Sequence, residues 1–246
     1  MLDTSTPRDS ATNDATQTES LPPIVARYFA FALPPTVRHI ARAHIEWSGT
    51  MTLKRDARPM KFSARQEIVT QPPSFVWDAT MKALAGVRIR VRDSYDAGRG
   101  ATRARLAGII SLVDQPGTPQ TAEAALQRFL GEAIWFPTAL LPSAGVVWTT
   151  RSADRATATL TDRDNHASID FCFGARGEIT GCSALRYRDV GDHSVRTPWR
   201  TRTWDYEAVD GIMIPRSGEA TWILPDGALT YWRGVVENVW YEYDVE

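Results

Sequence analysis

The chain has 246 residues, 43% of them hydrophobic and 10% aromatic, which is enough to bury one sizeable core. Its 28 Lys and Arg against 29 Asp and Glu leave a formal net charge of -1, without the cationic excess that a dedicated nucleic-acid or anionic-membrane binder needs. No run approaches the ~18 apolar residues of a membrane span, so neither a nucleic-acid partner nor a membrane span is expected.

Residues 1–20 are rich in Thr, Ser and Asp and hold no aromatic residue. They read as a disordered tail, and residues 21–246 as a single domain. The start lacks the basic end and apolar core of a signal peptide, so a cytoplasmic location is expected. In "LPPIVARYFAFALPP", Ile24, Tyr28, Phe31 and Ala32 recur at helical spacing between proline pairs. This predicts a short amphipathic helix whose aromatic side chains cap a core.

From Val37 the period becomes two. "RHIARAHIEWSGTMTL" reads as a long strand with Gly49 as a bulge. "KFSARQEIVTQ" and "SFVWDATMKAL" follow as strands. "VRIRVRDSYD" alternates Val87, Ile89 and Val91 with Arg88, Arg90 and Arg92, and the next strand sets Arg103 and Arg105 on one face. These arginines read as the wet side of a sheet buried on one face; a phosphate-binding stripe is the other reading.

One longer helix interrupts the strands. Thr118 suits its N-cap and Pro119 its first position. Ala122, Leu126, Phe129, Leu130 and Ala133 form an apolar stripe, and the last turn is apolar nearly all round through Ile134, Trp135 and Phe136. A helix that becomes apolar on every side is entering a core. Strands then resume from "GVVWTT" to the end, and the joints "VDGI" and "PDGA" carry the Asp-Gly hairpin signal. Cys172 and Cys182 flank the turn "GARGE"; counting by twos puts them on opposite faces, so both are expected as free thiols.

About a dozen strands joined by short turns imply a mainly β fold: one large antiparallel sheet that has to curl. Two helices with apolar faces then pack on its concave side, giving an incomplete β-barrel. A closed up-and-down barrel is the alternative.

His39, His44, His166 and His193 are scattered, and no Gly-rich phosphate loop or nucleophile elbow is present. Neither a metal nor a cofactor is therefore expected. Glu132 is a lone carboxylate in the apolar run "GEAIWFPTALLPSAGVVW". Two readings stay open for it. One is an ordinary i,i+4 surface pair with Arg128. The other is a carboxylate at the mouth of an apolar cavity, able to orient a polar head or to act as general acid or base. Five of the nine tryptophans lie from Trp199 onward. Alternation sets Arg200, Arg202, Trp204 and Tyr206 on one face, and Tyr231 with Arg233 on another. These side chains read either as filling for a curved sheet or as the walls of a ligand cavity.

The hairpin "DYEAVDGIMIPRSGEATW", and the order of long strands, helix and long strands, resemble the LolA/LolB-like lipoprotein-carrier half-barrels. More closely, "EAIWFPTALLP", "TPWRTRTWDYEAVDGIMIP" and "YWRG" resemble an uncharacterised bacterial family of unknown function, over most of Leu21 to Tyr243. The half-barrel resemblance implies a LolA/LolB-like fold around an apolar cavity. The VioE-like use of this scaffold implies that cofactor-independent catalysis is also open to it.

The function expected from the sequence is binding of an apolar or amphipathic, lipid-like small molecule. Trp135, Phe136, Trp148, Trp204, Tyr206, Trp222 and Tyr231 would surround it, Glu132 would be the internal polar contact, and Arg200 and Arg233 would hold an acidic head. The alternative is a cofactor-independent enzyme with Glu132 as general acid or base on a hydrophobic substrate.

Overall fold

The computed structural model describes residues 21–82, 86–106, 110–115, 117–191 and 193–244, with residues 106 and 110–115 described by their backbone alone. The expected tail over residues 1–20 lies outside the described residues. The elements run α1 (Pro23–Ala32), β1 (Ile40–Met51), β2 (Met60–Val69), β3 (Ser74–Lys82), β4 (Arg88–Asp96), β5 (Arg99–Leu106) and β6 (Ile110–Gln115). Next come α2 (Pro119–Glu132) and three 3-10 turns, Ala133–Trp135, Pro137–Leu140 and Pro142–Ala144. The chain closes with β7 (Val147–Ser152), β8 (Arg155–Asp162), β9 (Asn165–Phe173), β10 (Ile179–Val190), β11 (His193–Val209), β12 (Ile212–Leu224) and β13 (Gly227–Tyr243).

The strands make one 13-stranded sheet in the order β6-β5-β4-β3-β2-β1-β13-β12-β11-β10-β9-β8-β7. Every neighbour is antiparallel. Edge strands β6 and β7 are consecutive in the chain but do not pair with each other. The connector between them, α2 and the 3-10 turns, crosses the concave side instead. This is the incomplete barrel the patterning predicts. The tips of two hairpins also meet: Tyr95 donates from its hydroxyl to Asp162 Oδ2 at 2.6 Å, and Asn165 Nδ2 donates to the carbonyl of Gly98 at 2.9 Å.

Local sequence rules account for the helices. Thr118 Oγ1 accepts from the Thr121 amide at 3.1 Å, capping α2. The predicted stripe Ala122, Leu126, Phe129 and Leu130 is buried. The α-helix stops at Glu132, four residues short of the apolar run's end at Phe136, and tightens into 3-10 geometry. Three bonds pin that segment to the middle of the sheet. Trp135 Nε1 donates to the Pro215 carbonyl at 2.7 Å, Tyr241 donates to the Trp135 carbonyl at 2.7 Å, and the Ile40 amide donates to Thr138 Oγ1 at 3.0 Å. On α1, Ile24, Val25, Tyr28, Phe29 and Ala32 are buried, so its aromatic residues do cap the core. Tyr28 meets Phe173 edge-on at 6.1 Å, and Phe29 meets Trp148 at 6.4 Å.

Two sheet expectations need correcting. Gly49 is not a bulge. A Cβ there would sit 2.0 Å from the Arg233 carbonyl oxygen and 2.8 Å from the Phe62 ring, so glycine permits a close approach of strands. The irregularities of this ladder lie elsewhere: Ala41 is extra on β1 between the Ile40–Tyr243 and Arg42–Glu242 pairs, and Glu237 is extra on β13 between the Glu46–Asn238 and Trp47–Val236 pairs. At the cysteines, Phe173 pairs with Ile179, one residue off a simple Phe173–Glu178 count, and past the extra Thr180 Phe171 pairs with Cys182, two residues off it. Both thiols are nonetheless free, Cys182 buried and Cys172 half-buried.

Candidate functional site

A cavity of about 250 Å³ remains between α2, strands β3–β5 and strands β10–β13. Aromatic side chains dominate its walls: Trp77, Trp135, Trp199, Trp222, Tyr231 and Trp232. Tyr231 stacks on Trp222 with centroids 5.7 Å apart and accepts a 3.1 Å hydrogen bond from Trp199 Nε1. That bond ties the Trp199 and Tyr231 rings together in a wall that also carries Arg186 and Thr201. Trp135 meets Trp47 edge-on at 4.9 Å, and Trp47 meets Trp232 at 5.5 Å.

A polar chain crosses one side of the cavity. Glu132, at the end of α2, accepts from Gln66 Nε2 at 2.6 Å and from Arg128 Nε at 2.7 Å. Gln66 in turn accepts from Trp47 Nε1 at 3.0 Å. Arg128 also donates from Nη1 to Asp93 Oδ2 at 2.8 Å and lies 5.0 Å from the Phe75 ring centre and 5.2 Å from that of Trp77. The Arg128–Glu132 pair therefore exists, but not as a surface pair: the side chains of Arg128, Glu132 and Asp93 are 19%, 22% and 24% exposed. Burial by itself lowers the pKa of Arg128. The Glu132 and Asp93 carboxylates outweigh that and hold it above the ordinary arginine value. Behind the wall, Cys182 touches Thr201 Oγ1 at 3.2 Å, and burial pushes its thiol up to about 12, so it is not a nucleophile at neutral pH.

The opposite wall holds Arg186, which sequence reasoning passed over. It is 8% exposed. Its Nη2 donates to the Ala124 carbonyl at 2.8 Å, and its Nε is buried without a partner. The guanidinium lies 4.5 Å from the Trp199 ring centre and 5.8 Å from that of Trp222. Burial lowers its pKa. A hydrophobic-alternation count turns Leu185 inward and Arg186 outward. The register shift between Ile179 and Gly181 reverses that phase, and Leu185 is 54% exposed.

Of the residues singled out from sequence, Glu132, Trp135, Trp222 and Tyr231 come together at the cavity. Phe136 and Trp148 do not reach it. Phe136 packs on Phe129 at 5.4 Å, and Trp148 is buried against Phe171 with its Nε1 on the Leu140 carbonyl. Arg200, Trp204 and Arg233 are exposed, because the inward face of β11 carries Trp199, Thr201 and Thr203. Arg233 is turned out by a bulge: Ala220 pairs with Trp232 and Thr221 with Thr230, so Tyr231 is extra and both Tyr231 and Trp232 face inward. Arg233 instead joins Glu219, at 3.1 Å, opposite Arg202, at 3.6 Å. Tyr206 shares no face with Trp204. Asp205 between them is left-handed, and Tyr206 meets the Phe31 ring of α1 at 5.3 Å and donates to the Ile179 carbonyl. The head-group role expected of Arg200 and Arg233 is thus withdrawn. Among the described residues, no cluster of His, Cys, Asp and Glu suits a metal ion, and no helix is long and apolar enough to cross a membrane.

No curated protein matches the sequence. Among solved structures, the chain is similar to a LolA superfamily protein from Nitrosomonas europaea, at 10% identity and a TM-score of 0.42, with 91% of this chain and 93% of that one covered. It is similar to a DUF1329 family protein from Desulfovibrio piger, at 10% identity and a TM-score of 0.45, with 95% of each chain covered. A β-barrel-like protein of the domain of unknown function DUF1849 from Brucella abortus shares 8% identity at a TM-score of 0.32, with 85% of this chain and 100% of that one covered. The profile of a family of unknown function, DUF6920, matches residues 19–241, and the chain belongs to that family.

Proposed function

We propose that the protein binds a small apolar or amphipathic molecule in the cavity beneath α2. One observation carries this reading: aromatic side chains converge on space that they leave unfilled, with a hydrogen-bonded carboxylate at its edge. Interiors close-pack wherever nothing else has to fit, so a gap of this size ringed by tryptophan is unusual for a core whose only task is stability. The volume of about 250 Å³ lies just below the ~300–1,000 Å³ common for small-molecule sites. It suits a single ring or a short acyl chain rather than a lipid with several chains.

The Gln66–Glu132–Arg128–Asp93 chain gives the site one polar edge that stays in place when the cavity fills. Apart from Asp93 Oδ1, which is already buried without a partner, the groups shown bonded along that chain keep their partners when an apolar body enters. The test is a titration of intrinsic tryptophan emission with 1-octanol and with 3-phenylpropanol. A saturable change is expected, since five tryptophans line the space. No change with either probe contradicts the proposal.

A further inference from the structure

Arg186 is a buried cation without an ion-pair partner among the described residues. Every other cation at the cavity is matched: Arg128 lies between Glu132 and Asp93, and Arg202 reaches Glu219. Arg186 has one hydrogen bond, to the Ala124 carbonyl, and an Nε with no acceptor. It is held from the side by the faces of Trp199 and Trp222. A guanidinium taken out of water is costly unless an anion or several acceptors meet it. Ring faces offset part of that cost but offer no acceptor to its N–H groups.

We propose that Arg186 is the anchor for the head of an anionic amphiphile, a carboxylate carried on a short acyl or aryl body. This rests on the cavity being a ligand site and names the class of ligand it takes. A carboxylate matches the planar fork of a guanidinium with two parallel hydrogen bonds, a geometry that a neutral hydroxyl cannot reproduce. The charge layout also sets the direction. Asp93 and Glu132 share one cation, Arg128, and leave that wall net negative, which repels an anionic head, whereas the opposite wall sets Arg186 and Arg202 against Asp189 and Glu219 and carries no such excess. The head therefore goes to the β10 wall, and the body lies back against Trp135, Trp77 and Trp232. Tyr231, whose hydroxyl accepts from Trp199, keeps the Trp199 ring in place beside Arg186.

The experiment compares acids with their own alcohols: octanoate with 1-octanol, and 3-phenylpropionate with 3-phenylpropanol, at neutral pH in wild type and in Arg186→Met. In wild type each acid is expected to bind at least ~10-fold tighter than its alcohol. In Arg186→Met that ratio falls to about one. Arg186→Lys keeps the charge but loses the fork, and it retains only part of the preference. Equal binding of acid and alcohol by wild type overturns the anchor and leaves the ligand site standing. Absence of binding by all four probes overturns both. The wild-type comparison decides the matter even if Arg186→Met does not fold.

Discussion

Gln66 Nε2 lies 2.6 Å from Glu132 Oε2 and joins strand β2 to the last residue of α2. The same amide accepts from Trp47, so a single side chain connects an aromatic wall to the carboxylate. Glu132 is thereby held from two directions, by the sheet through Gln66 and by its own helix through Arg128. The end of the helix that spans the open seam is fixed over the cavity, not resting loosely on it.

Breaking this chain should cost far more than breaking a surface pair. Arg128→Met leaves Glu132 and Asp93 facing each other without their shared cation. The expected loss is about 2–3 kcal/mol, below the ~3–5 kcal/mol for a fully buried pair because these side chains are partly exposed. Glu132→Gln keeps one acceptor for two donors and is expected to cost about 1–2 kcal/mol. Urea denaturation midpoints read both. Losses within about 0.5 kcal/mol would return the pair to the exposed class.

If Glu132 is a structural anchor and not a proton-transfer group, Glu132→Gln should also leave 1-octanol affinity within about threefold of wild type. A drop of turnover by ~10²-fold on any hydrophobic substrate found for the protein would instead support general acid–base catalysis.

Gly49→Ala forces a methyl group against the Arg233 carbonyl, where a Cβ would lie at 2.0 Å. The strands cannot separate there without loss of the β1–β13 ladder. A destabilisation of about 3 kcal/mol or more is expected, at the upper end for overpacking. Thermal unfolding measures it, and a cost under about 1 kcal/mol would show that the strands are not so close.

Stability should fall on the alkaline side. Burial raises the phenol pKa of Tyr28, with the charges of Tyr206 and Tyr241 adding to it, and burial likewise raises those of Tyr206 and Tyr241 above the ordinary 10.0. Below about pH 10 both folded and unfolded chains keep these phenols neutral, and their contribution to stability is fully present. Above it the unfolded chain loses protons first, so it binds fewer than the fold and unfolding becomes easier as pH rises. Urea midpoints are expected to start falling above about pH 9, where the unfolded Cys182 thiol ionises while the buried one stays protonated, and to fall more steeply above about pH 10 as the phenols join. Phenolate absorbance from these rings should appear only with unfolding. Early ionisation without loss of structure would contradict their burial.

Much of the architecture was legible because two periods carry it. Alternation from Ile40 onward gives the strands, the Thr118-Pro119 start gives α2, and Asp210-Gly211 turns with both residues left-handed, as its hairpin signal demands. Glu132 was legible as an acid in an apolar helix end. Family membership was legible in "EAIWFPTALLP" and "TPWRTRTWDYEAVDGIMIP". The rest of the site was hidden by bulges. One extra residue between Ile179 and Gly181 exchanges the faces of Leu185 and Arg186, and the extra Tyr231 turns Arg233 outward. Since the side-chain period is two, a one-residue insertion reverses every face beyond it. Arg128, Gln66 and Asp93 meet only in the folded chain, from α2, β2 and β4, and no spacing links them beforehand.

The occupancy of the cavity itself is the central claim, and a side chain can compete for it. Ala220 lines the space on the inward face of β12, between Gly218 and Trp222. Calorimetric titration of octanoate into Ala220→Leu, beside wild type, tests the claim most directly. The account predicts one saturable site in wild type and at least ~10-fold weaker binding in the folded variant. Equal affinity in the two proteins would place the ligand elsewhere and contradict the account.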